Sequence, residues 1–197
     1  MNILKRARDM ILNPKLTWQV IKDEGVEVKQ LFINYAAPLA LIPSVCSLIG
    51  MTIVGIRMPA GVVRAPFVPA LIGAGLGYVL HLAGLFIGGW LVSRLAKLFG
   101  SKADLASAMK VVVYSMTPAW LVGIFSLFPG LGILSLLGLY GIYLLALGLP
   151  VVLETPQNKV IWFTITILVA GIVISFVLSL ILVGTVYGPM YMDLMAV

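Results

Sequence analysis

Five stretches of the chain, roughly residues 32–56, 66–92, 106–128, 131–153 and 159–188, are almost uninterruptedly apolar. Each reaches the ~20 residues a helix needs to cross ~30 Å of hydrocarbon. Lipid offers no hydrogen bonds to a backbone, so segments of this kind satisfy their own N–H and C=O groups as helices. The fold class is therefore all-α: a polytopic membrane protein with a five-transmembrane-helix bundle and a short N-terminal amphipathic helical segment. Residues 1–30 form that segment, 31–190 the bundle and 191–197 a tail. Charged residues make up only 10% of the chain, against about 25% in a soluble domain, so little is left for a separate soluble domain.

The thirteen Lys and Arg residues are distributed unequally among the connections. Lys5, Arg6, Arg8, Lys15, Lys22, Lys29, Arg94, Lys97, Lys102, Lys110 and Lys159 fall on one side, and Arg57 and Arg64 on the other. The positive-inside rule then predicts a cytoplasmic N-terminus and an external C-terminus in a bacterial inner membrane. Orientation accounts for the net charge of +6, and no nucleic-acid partner is expected. Residues 1–30 carry no apolar run followed by a small-residue cleavage site, so no removable signal peptide is expected.

Within residues 3–11, Ile3, Leu4, Ala7, Met10 and Ile11 share one helical face and Lys5, Arg6, Arg8 and Asp9 the other. That pattern predicts an interfacial helix, with Lys5, Arg6 and Arg8 contacting lipid headgroups. Asn13-Pro14 reads as an N-cap and first position of a second short helix ending at Gly25. Further on, Gly100 is expected to stop an over-long second span, and Ser101-Lys102-Ala103-Asp104 resembles a capping box opening the third, with Lys110 near the headgroups.

Inside the spans, Pro38, Pro118 and Pro150 are candidate helix breaks. Gly73, Gly77, Gly84 and Gly88 lie on one face of the second span and Gly141 and Gly148 form a shorter seam on the fourth, the smooth surfaces on which helices approach closely in lipid. Their partner is another helix of this chain or, in a homo-oligomer, a second copy. His81 lies on the glycine stripe, where a neutral imidazole can donate to a carbonyl or to a hydroxyl of Tyr114, Ser115 or Thr117. Hydroxyls just before Pro118 can satisfy carbonyls that proline leaves without a donor. With Tyr35, Tyr140 and Tyr143 they form a candidate polar cluster or pathway.

Chemistry is poorly provided for. One His and one Cys do not supply a metal site, no serine sits in a GxSxG elbow, and the acidic residues lie outside the spans. No catalytic residue, metal or cofactor is expected. Two readings of function follow: a non-enzymatic protein that organises protein or lipid partners at its cytoplasmic face, or a small transporter or channel using His81 and the broken helices.

Asn13-Pro14 with Trp18 and Ile21, Tyr35-Ala36-Ala37-Pro38, Tyr114-Ser115-Met116-Thr117-Pro118, and Gly138-Leu139-Tyr140-Gly141-Ile142-Tyr143 leading to Gly148-Leu149-Pro150 together resemble a bacterial member of the Yip domain family, the Ypt/Rab-interacting membrane proteins. The resemblance implies five spans and a cytoplasmic N-terminus. Eukaryotic members act in membrane trafficking and contact small GTPases. Their acidic Asp-Leu-x-Gly-Pro motif is replaced here by Tyr35-Ala36-Ala37-Pro38, so that role is not carried across.

Overall fold

The computed structural model describes residues 2–59 and 61–187; the expected tail, 191–197, and residues 188–190 of the bundle lie outside them. Two short helices, α1 (Ile3–Leu12) and α2 (Pro14–Asp23), precede the spans. Five helical segments long and apolar enough to cross a membrane follow: Val28–Val54, Phe67–Phe99, Leu105–Leu127, Pro129–Val152 and Gln157–Val186. A small antiparallel hairpin, β1 (Ile56–Met58) and β2 (Gly61–Val63), joins the first two, with Arg57 opposite Val62.

The spans depart from regular α-helix where their sequences demand it. In the first, a π turn at Phe32–Ala36 immediately precedes Ala37-Pro38, widening the backbone just ahead of the residue that lacks an N–H. Pro118 divides the third: an α-helix ends at Ser115, Met116 makes a turn, and a second α-helix starts at Thr117. Pro150 is accommodated inside a helix that continues to Val152. The fourth span is not continuous α-helix: Pro129–Leu139 is wound as 3-10 helix with a kink at Leu131 (φ −96°, ψ 15°), and only Tyr140–Val152 is α. Gly130, Gly132 and Gly138 fall in that half, where low helix propensity leaves the tighter winding competitive.

The third span is the axis of the bundle. In its most apolar window 56% of residues are buried, against 17% or less in each of the others. The glycines set the approach of its neighbours. A β-carbon built on Gly84 would lie 2.8 Å from Leu178 Cδ1, and one on Gly77 3.6 Å from Leu182 Cδ2, both of the fifth span. One on Gly88 would meet Val112 of the third at 4.0 Å, and Gly73 is buried. On the fourth span, Gly141 faces the Ser115 carbonyl, 2.5 Å from such an atom. Gly84 and Gly141 thus stand where a neighbour within this chain leaves no room for a β-carbon, whereas one on Gly77 or Gly88 would make only an ordinary van der Waals contact.

At the end of the bundle that carries α1 and α2, Gly100 ends the second span with φ +70°, the left-handed conformation glycine adopts freely. The third span is capped by Asp104, whose carboxylate accepts from the Ser107 N–H at 2.7 Å. Ser101, the expected cap, instead bonds Thr155 at 2.8 Å. The chain needs a few residues to turn before a helix can begin, which moves the cap to the end of the tetrapeptide.

Candidate functional site: an aromatic chain from the helical cap to an apolar groove

Helices α1 and α2 fold back on the bundle as a cap. Trp18 is fully buried, its ring 2.8–3.0 Å from the point where a β-carbon would stand on Gly148. The buried face of α1 is Ala7 and Met10, and the Tyr140 hydroxyl donates to the Ile11 carbonyl at 3.1 Å. This corrects the expected lipid-facing surface: Ala7 and Met10 meet protein, while Leu4, 74% exposed, lies outside.

Charge placement is corrected too. Lys5 and Arg8 are exposed, but Arg6, expected at the headgroups, turns inward to pair with Glu24, its guanidinium 5.9 Å from the centre of the Tyr114 ring. Lys110, also expected near headgroups, is buried and donates to the carbonyls of Ile21 (3.0 Å) and Glu24. The reason lies in α2: the last carbonyls of a helix have no intrahelical partner, and burying them requires a donor, here an ammonium. Cations placed on helix faces by sequence spacing alone do not reveal such tertiary partners.

From Trp18 a run of aromatic rings leads into the bundle. Trp18 meets Tyr114 edge-on at 6.3 Å, Tyr114 meets Tyr35 at 4.7 Å, Tyr35 meets Trp120 at 6.3 Å and Trp120 meets His81 at 6.1 Å. Four elements contribute: α2 and the third, first and second spans. Thr117 fixes the middle of the run. Its hydroxyl donates to the Tyr114 carbonyl at 2.7 Å, the acceptor four residues before Pro118 that proline cannot serve, and it accepts from the Tyr35 hydroxyl at 2.8 Å. The structure therefore brings Tyr35, Tyr114 and Thr117 together. Tyr140 and Tyr143 meet elsewhere, their rings tilted at 42° with centroids 5.3 Å apart, so the expected single hydroxyl cluster is two.

His81 Nε2 accepts from Trp120 Nε1 at 2.9 Å, in place of the expected bond to Tyr114, Ser115 or Thr117. Trp120 was not singled out in the sequence; its place three residues after Thr117, on the same helical face, is the signal that could have found it. Beyond His81 opens a groove of about 590 Å³ between the second, third, fourth and fifth spans, with Ser115, Gly84, Gly88 and Gly171 in its walls.

Outside the spans, Glu154 receives Lys102 at 3.2 Å and Lys22 at 3.3 Å, tying α2 to two of the connections. Those ammonium groups hold its carboxyl below the ordinary value, as the Ser107 N–H does for Asp104. Among the described residues no three His, Cys, Asp or Glu side chains gather closely enough to hold a metal ion.

Five apolar helices, glycine-mediated contacts and hydroxyl and indole hydrogen bonds between spans define an all-α polytopic membrane protein. The chain belongs to the Yip1 domain family, matching it over residues 8–187. It is similar to the inner membrane protein YohC of Escherichia coli strain K12, with 28% identity over 171 residues, 84% of this chain and 88% of that protein. YohC of Escherichia coli O6:H1 matches to the same extent. No solved structure matches.

Proposed function

We propose that this protein is a non-enzymatic component of the bacterial inner membrane, N-terminus cytoplasmic, that organises partners at the cytoplasmic leaflet, anionic lipid foremost. One observation carries the reading. The cap is fastened to the bundle by its inner face, and its outer edge exposes Leu4, Leu12, Leu16 and Val20 beside Lys5, Arg8 and Lys15. Leucines at the depth of the acyl chains and cations at the depth of the headgroups form a surface suited to anionic lipid. The inner-membrane address of the YohC relatives agrees with this placement. The transport reading draws less support, because His81 is bonded to an indole and the groove beside it is lined mainly by apolar side chains, with no charged residue.

The structure also dictates the test. Deleting α1 and α2 would bare Lys110 and the slot filled by Trp18, so substitutions on the outer edge are the cleaner perturbation. Protein purified gently from native membranes is compared with a Lys5→Ser/Arg8→Ser/Lys15→Ser variant and a Leu12→Ser/Leu16→Ser variant, with mass spectrometry of co-purifying lipids and proteins. Enrichment of anionic lipid in the unsubstituted protein, lost in the charge variant, is expected. Identical lipid and protein profiles in all three would overturn the proposal.

A further inference from the structure

The second span carries a cationic end that the fold leaves unneutralised. Its 33 residues make about 50 Å of helix at ~1.5 Å each, well beyond the ~30 Å of hydrocarbon, so its last turns stand among headgroups. Arg94 and Lys97 lie there, one turn apart and both exposed. Among the described residues neither pairs with a carboxylate. The acids of this end are committed elsewhere: Asp104 caps the third span, and Glu154 receives Lys22 and Lys102. The Arg94 guanidinium instead lies 5.4 Å from the centre of the Trp90 ring, which sets it one turn beyond a half-exposed indole.

Below this pair the same face of the helix is open. Val79, Phe86, Trp90 and Arg94 recur at spacings of seven, four and four, which keeps them on one side. The first three are about half exposed. Phe86 also meets Phe32 edge-on, 6.2 Å between centroids, so the first span borders the strip. His81, Gly84 and Gly88, which line the groove, fall on the opposite side of the helix.

Length and charge together select the occupant. From Val79 to Trp90 the strip measures about 17 Å, close to the ~15 Å that one leaflet contributes to the hydrocarbon. An acyl chain laid along it ends at the indole, and Arg94 stands about 6 Å further out, at the depth of a lipid phosphate. An ethanolamine head would bring an ammonium to a place with two cations and no free carboxylate. An anionic head brings only attraction, about fivefold in affinity for each nearby cation.

We propose that this face of the second span binds an anionic phospholipid of the phosphatidylglycerol type, its phosphate on Arg94 and Lys97 and one acyl chain along Trp90, Phe86 and Val79. The site lies on a different part of the molecule from the outer edge of the cap and does not depend on it.

The test places the full chain in phosphatidylcholine nanodiscs with equal small fractions of phosphatidylglycerol or phosphatidylethanolamine, each brominated near the head of the acyl chain. Bromine quenches the indoles it touches, and comparison with Trp90→Phe separates Trp90 from the exposed Trp162. At Trp90, phosphatidylglycerol should be preferred by more than tenfold. Arg94→Ser should reduce that preference about fivefold, Arg94→Ser/Lys97→Ser should abolish it, and the charge-retaining Arg94→Lys should keep it. The cap variant Lys5→Ser/Arg8→Ser/Lys15→Ser should leave it unchanged. Because Arg94 and Lys97 are exposed, all these variants at the second span should melt with the unsubstituted protein, which separates lost binding from lost structure. Equal quenching by the two lipids overturns the proposal. So does a preference that survives the double substitution, is lost in Arg94→Lys, or disappears in the cap variant.

Discussion

Thr117→Val tests whether the broken third span is held by the bonds described. Thr117 is fully buried, and valine keeps its shape while deleting the hydroxyl that serves both the Tyr114 carbonyl and the Tyr35 phenol. In soluble proteins each buried group that loses its partner costs about 1–3 kcal/mol; in membrane proteins, removed hydrogen bonds average about 0.6 and reach about 1.7 kcal/mol. Protein, not lipid, encloses Thr117, so the upper part of the membrane range applies to each bond and the expected loss is about 2–3 kcal/mol. Two compensations sharpen the expectation. Tyr35→Phe removes the phenol that Thr117→Val strands, so the double variant should be less damaged than the sum of the singles by about 1 kcal/mol. Pro118→Ala restores an N–H four residues after Tyr114 and, added to Thr117→Val, should recover about half of the loss, ~1 kcal/mol. Equilibrium unfolding in mixed micelles with rising sodium dodecyl sulfate, followed by tryptophan fluorescence, gives the energies. A Thr117→Val stability within ~0.5 kcal/mol of the unsubstituted protein, or additivity with Tyr35→Phe within that margin, would refute the reasoning.

Trp18→Ala should destabilise the cap by about 3–5 kcal/mol, the usual loss for a buried indole, seen as faster amide hydrogen exchange in α1 and α2 than in the third span. Gly141→Ala places a β-carbon 2.5 Å from the Ser115 carbonyl, a backbone atom that cannot swing aside. It should cost about 1–3 kcal/mol in the same unfolding assay, whereas Gly171→Ala, with nothing within 4 Å, should be silent. Glu154 has its carboxyl pKa lowered by Lys102 first and Lys22 second. Its stabilising effect is therefore complete above the ordinary carboxylate range and disappears as pH falls through the lowered value. The melting-temperature gap between the unsubstituted protein and Glu154→Gln should be open at neutral pH and closed well below about pH 4.

The five spans and the stop at Gly100 were legible because crossing a membrane imposes length and apolarity on contiguous residues, and contiguous residues are what a sequence displays. The fates of Arg6 and Lys110 were not. Both carry charge at positions where headgroup contact is the simplest expectation, and both are drawn inward by acceptors far away in the chain: Glu24 for Arg6, and the carbonyls of Ile21 and Glu24 for Lys110. The shift of the helix cap from Ser101 to Asp104 has a similar origin, because Thr155, 54 residues on, competes for the serine hydroxyl. Thr117 sits between these cases. Its proximity to Pro118 announces that it can serve a stranded carbonyl, a local relation, whereas its bond to Tyr35 spans 82 residues and needed the fold to be seen.

The two ends of the aromatic run are held by different forces, which explains why one is built of large apolar side chains and the other of glycines and hydrogen bonds. Between spans, lipid is as apolar as leucine and gives helices no hydrophobic reason to associate. Contact there comes from close approach at Gly84 and Gly141 and from specific bonds at Thr117 and Trp120. The cap lies outside the five spans, and burying Met10, Trp18 and Ile21 removes apolar surface from an aqueous or interfacial environment, at about 25 cal/mol per Å². The cap should accordingly respond to temperature and denaturant as a small soluble core does, while the spans respond chiefly to loss of individual bonds and to overpacking. Trp18 joins the two regimes, with its ring on Gly148 of the fourth span and its edge toward Tyr114 of the third. Detaching the cap therefore removes one wall from the run of rings that ends at His81, and the groove should feel substitutions at Trp18 only through Tyr114, Tyr35 and Trp120, the side chains that physically connect them.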